Sequence, residues 1–136
     1  MKHLLDDVRA LEAMLDNGMI ESGVRRIGAE QEMFLIRKDG GPAPIAMEML
    51  DRLNDESFTT ELALFNLEAN MKPFHLAGQC LRRLEREIGK LVGKVREQAR
   101  EIGGDVVLCG ILPTLRLEDL TLDNMTPKPR YFALNK

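Results

Sequence analysis

Apolar positions along this chain change period several times, and each change marks an element. Leu4, Leu5, Val8, Leu11 and Leu15 recur every three or four residues, the spacing of one helical face, and Asn17-Gly18 supplies a left-handed stop. Residues 24–37 then are apolar or small at most positions, with two glutamates among the polar ones, and are closed by Asp39-Gly40-Gly41, which predicts a strand covered on both faces. A Pro-rich stretch, GPAPIA, leads to Met47, Leu50 and Leu53, a short helix of about three turns.

From 59 to 71 the period returns to two. Leu62, Leu64, Asn66, Glu68 and Asn70 take one parity and Glu61, Ala63, Phe65, Leu67 and Ala69 the other, so one strand is expected with a polar stripe at Asn66, Glu68 and Asn70. Leu76, Cys80, Leu81, Leu84, Ile88, Leu91, Val92, Val95, Ala99 and Ile102 track one face of a long helix over 76–102, closed by Gly103-Gly104. A short buried strand is predicted over 105–112, and the Pro-rich remainder reads as irregular up to a helix start near its end. Helix, strand, helix, strand, long helix, strand is the order of an α/β or α+β layer in one domain. Three strands make a small sheet, and the expectation is the N-terminal part of a longer catalytic domain, or a short form completed by another copy.

Composition narrows the functional classes. A net charge of −3 with mixed signs, no long basic run and 4% aromatic residues disfavours nucleic acid as the main partner. No window approaches the ~20 apolar residues of a membrane span, and the amphipathic opening lacks a secretory core, so a cytoplasmic location is expected. Cys80 and Cys109 have no CxxC companion and read as inert core thiols, while His3 and His75 lack the positioned partners that acid–base work requires.

The candidate chemistry lies in the acids. Glu30 and Glu32, two apart in a strand, point the same way, and carboxylates that close repel unless a proton, a basic group or a hard cation such as Mg²⁺ sits between them. Glu68 between Asn66 and Asn70 suits the same ion and a polar substrate. Glu61 lies an odd seven residues before Glu68, so the two share a site only if a bulge or bend intervenes. Solvated acids on an edge strand are the alternative.

IGAEQEMFLI, with Gly28, Glu30, Glu32 and a displaced Phe34, resembles the opening strand of the glutamate–cysteine ligase family in its bacterial carboxylate–amine ligase branch. TTELALFNLEANMKP is similar to that family's second acidic strand, and the long helix, the Gly110-Ile111-Leu112-Pro113 strand end and TPKPRY follow in the family's order, so the resemblance covers roughly residues 25–131. It implies an α+β fold, part of a glutamine-synthetase-like, curved, mainly antiparallel sheet. It also implies Mg²⁺ and ATP as cofactors, and glutamate with an amine such as cysteine as substrates, as in glutathione biosynthesis. By resemblance Glu30, Glu32, Glu61 and Glu68 would be metal ligands, Asn70 would contact substrate, and Arg130 and Tyr131 would lie near ATP. The family's later histidine-containing strands and basic residues are not found in these 136 residues, so the chain alone is expected to be catalytically incomplete. A non-enzymatic nucleotide-, amino-acid- or protein-binding module on the same fold is the alternative, and a homo-oligomer is a further expectation.

Overall fold

The computed structural model describes residues 2–134, the side chain of Leu134 excepted. Helix α1 (Lys2–Asp16) ends as the sequence indicates, with Gly18 at φ 65°. Strands β1 (Arg26–Ile27) and β2 (Glu30–Arg37) follow, then helix α2 (Ala46–Leu53), strands β3 (Phe58–Thr60), β4 (Asn66–Asn70) and β5 (Phe74–His75), and the long helix α3 (Cys80–Glu101). Strand β6 (Gly104–Val107), two 3-10 turns at Leu117–Asp119 and Leu122–Asn124, and helix α4 (Pro129–Leu134) complete it. This is an α+β arrangement.

The main sheet has the order β3-β4-β2-β6, antiparallel throughout. Met33 and Leu35 of β2, Leu67 and Ala69 of β4, Phe58 of β3 and Val106 of β6 form its covered side, against Ala46, Met49 and Leu53 of α2 and Val92, Val95 and Ala99 of α3. Met33, Leu35 and Leu67 are sealed from solvent, each worth about 1.5–3 kcal/mol of apolar burial. On the other side, Phe34 stacks on Phe65 at 6.1 Å and packs on Leu112, so β2 is covered on both faces at its centre, as the apolar run Met33-Phe34-Leu35-Ile36 implied.

Several expected elements differ. The single strand over 59–71 is a hairpin: β3 and β4 pair as Phe58↔Ala69, Thr59↔Glu68 and Thr60↔Leu67, with 61–65 turning between them. The run over 24–37 breaks at Gly28-Ala29. There the β2–β4 pairing, which ends at Glu30↔Asn70 and the bond from Met71 N–H to the Ala29 carbonyl, resumes as Ile27↔Phe74 with one extra residue on the second strand. That is a bulge, placed at Pro73, which has no N–H to give a ladder.

Helix α3 begins at Cys80 rather than 76, because Leu76 N–H still bonds the Arg25 carbonyl beyond β5 and Gly78 takes φ 55°. The strand expected over 105–112 pairs with β2 only as far as Val107, opposite Phe34, and beyond it the chain leaves the sheet with Leu108 and Ile111 exposed. Helix α2 turns Met49 inward with Leu53 and leaves Met47 exposed.

Candidate metal centre

Register brings the acids together. Glu32 lies directly opposite Glu68 across β2 and β4, and Glu30 lies opposite Asn70, so all four side chains share the sheet face away from α2 and α3. Thr59, opposite Glu68 on β3, flanks them. Glu61 follows β3 immediately, and the reversal of the hairpin, rather than a bulge in one strand, returns it to Glu68 despite their odd separation. One oxygen from each of Glu32, Glu61 and Glu68 lies within 4.8 Å of the other two. Glu30 stands one register step along the face, outside that trio.

Two members of the trio are held in place by contacts around them. Asn70 Nδ2 donates to Glu68 Oε1 at 2.6 Å, a contact that β-strand geometry provides between residues two apart. The segment near residue 125 locks the backbone at Glu61. Leu64 N–H bonds the Asn124 carbonyl, Thr126 N–H bonds the Leu62 carbonyl, Ala63 bridges Met125, and the Thr126 hydroxyl donates to the Glu61 carbonyl. Thr126 is 1% exposed, so its hydroxyl is spent on that bond.

Among the described residues no ion pair joins the trio directly. Partial burial pushes the Glu61 carboxyl above the usual range, and hydrogen bonding to Glu68 and the negative charges of Glu68 and Glu32 push it further, against a weak pull from the Leu62 N–H. Arg130 stands at the margin: its Nη2 donates to the Tyr131 hydroxyl, its guanidinium lies 4.6 Å from that ring's centre, and Tyr131 is buried. Its pKa is raised by Tyr131 first and by the charges of Glu61 and Glu68 after. Thus Arg130 and Tyr131, expected near ATP, form a contact with each other beside the acids.

The donor set fits a hard divalent cation. All the oxygens are carboxylate, and ligands on opposite sides of a Mg²⁺ stand about 4.2 Å apart, so a spread of 4.8 Å is closed by a small side-chain movement. Thr126 and Thr59 were not foreseen from the sequence. Thr59 could have been found once a hairpin, rather than a strand, was assigned to 59–71; Thr126 opens the TPKPRY segment, but nothing local shows its contact, since its partner lies 65 residues away. Cys80 and Cys109 are free and half-buried, without ligating neighbours among the described residues.

Neither the curated proteins nor the solved structures compared with the chain give a match. The sequence profile of glutamate-cysteine ligase family 2 (GCS2) matches residues 26–136, which include both acidic strands, the hairpin and the Thr126 segment. With most of its length and all of the converging acids inside that match, the chain belongs to glutamate-cysteine ligase family 2.

Proposed function

We propose that this chain carries the metal- and phosphate-facing acids of a cytoplasmic, ATP-dependent carboxylate–amine ligase. The observation that supports it best is the convergence of Glu32, Glu61 and Glu68 on one sheet face in a member of this family. In this reading those three hold Mg²⁺, with Glu30 as a further ligand one step along the face. A bound Mg²⁺ supplies positive charge that screens the triphosphate from an anionic carboxylate and polarises the phosphoryl oxygens. Asn70 fixes the Glu68 carboxylate and keeps its carbonyl oxygen for a polar substrate. Arg130, oriented by Tyr131, offers a guanidinium to a phosphate or carboxylate arriving beside the acids.

The reaction joins glutamate to an amine such as that of cysteine. A γ-carboxylate oxygen of glutamate attacks the terminal phosphorus of ATP and ADP leaves; the amine nitrogen then attacks the acyl carbon, loses a proton, and phosphate departs with the former carboxylate oxygen. In a catalytically complete form of the enzyme, oxygen-18 placed in the glutamate γ-carboxylate therefore ends up in phosphate, one atom per turnover. Amide formation that releases unlabelled phosphate would contradict the proposal.

A further inference from the structure

Helix α1 lies outside the family match and buries none of its residues. Leu4, Val8, Leu11 and Leu15 form one stripe, and all four are more than half exposed. At 100° per residue Asp7 and Glu12 fall on either side of that stripe, with the Asp6–Arg9 ion pair behind it. An unpartnered apolar surface also lies on α3: an open groove of about 490 Å³ lined by Leu81, Leu84, Ile88, Val92 and Leu108, with Gly89 and Gly93 along its edge. A Cβ at either glycine would meet nothing within 4 Å, so another backbone can come close there.

We propose that the α3 groove receives α1 of a second copy of this chain, reciprocally, giving a two-fold dimer. Length agrees: the fifteen residues of α1 span about 22 Å, and so does the groove from Leu81 to Arg96. Charge agrees too. Helix α1 carries Asp6, Asp7, Glu12 and Asp16 against Lys2 and Arg9, whereas α3 carries seven arginines and lysines against four glutamates, with Arg82 and Arg86 on the glycine-lined edge and Arg96 offsetting Glu85 in the groove itself. Its own groove is open to α1 in the single chain, yet α1 is not seated in it. An anionic membrane is a poor alternative, because the polar side of α1 is net acidic. Reciprocal exchange satisfies both surfaces in a closed pair, without leaving an open end.

Light scattering on the native chain at micromolar concentration tests this, and the outcome is independent of the ligase reading. Twice the chain mass is expected. Leu11→Asp, which breaks the stripe, and the double change Gly89→Glu with Gly93→Glu, which fills the edge and repels acids without touching the core, should each reduce the mass to that of one chain. Mixing the two variants should restore a heterodimer, since one intact stripe then meets one intact groove. Circular dichroism of the glycine variant should show helix retained, so that loss of mass is not loss of fold. A native chain of single mass, or a double mass that survives both variants, would overturn the proposal, the latter assigning association to the sheet edges.

Discussion

At the scale of single residues, the acids are arranged at the expense of the metal-free fold. Because the folded chain holds a proton on Glu61 more tightly than the unfolded chain, the contribution of this group to stability is greatest below the ordinary carboxylate value of 4.5 and is lost as pH rises through the raised value. Glu61→Gln removes that loss. The variant should melt about 1–4 °C higher at neutral pH without metal, the size of a partly solvated charge interaction, and lose the pH dependence just above 4.5 while binding Mg²⁺ more weakly. A lower melting temperature without metal would mean that Glu61 is stabilised by a partner instead of strained by its neighbours. Thr126→Val gives the complementary case. Leaving the Glu61 carbonyl without its donor should cost about 1–3 kcal/mol by denaturant melts and weaken Mg²⁺ binding, and Thr126→Ser, which keeps the hydroxyl, should recover both. The like parity of Glu30 and Glu32 was legible in the sequence because it is a property of any strand, whereas the Thr126 contact was not, because it depends on where a distant segment docks.

At the scale of elements, the hairpin decides the site. Read as one strand, 59–71 sets Glu61 and Glu68 on opposite faces; folded at 61–65, it makes them neighbours. Alternation alone could not show this, because both arms of the hairpin alternate and no Asn-Gly or Asp-Gly pair marks the turn. The arm that carries Glu61 is tied to α3 through Asp55, which bonds Lys94 Nζ at 2.6 Å and the Ser57 N–H at 2.9 Å. Those contacts, Lys94 first, lower the Asp55 carboxyl to about 2. Its contribution is present above 3.8 and is lost as pH falls from there toward 2. Asp55→Asn should therefore destabilise the chain by about 1 kcal/mol at pH 7, allowing for solvent screening, and by much less at pH 2, as urea titration at the two pH values would show. An equal loss at both would assign the effect to the turn rather than to the ion pair. The long helix was legible from its period; its start was not, since Leu76 continues the apolar face but is held by the Arg25 carbonyl.

At the scale of the molecule, one layer of helices covers one side of the sheet, and the other side is divided. The Phe34–Phe65–Leu112 cluster closes one part, leaving the acids on the remainder. The α+β class and the family were legible because the acidic strands, the long helix and the closing TPKPRY segment keep their order along the chain. No helix among the described residues is long and apolar enough to cross a membrane. Metal binding on this face requires Glu32, Glu61 and Glu68 to act together on one cation. Titration of the chain with Mn²⁺, followed by electron paramagnetic resonance and competed with Mg²⁺, tests it most directly. The expected result is one site per chain, weakened about tenfold or more by Glu32→Gln or Glu68→Gln and less by Glu30→Gln, which stands outside the trio. Mn²⁺ binding that is absent, or that is indifferent to Glu32→Gln and Glu68→Gln, would contradict it.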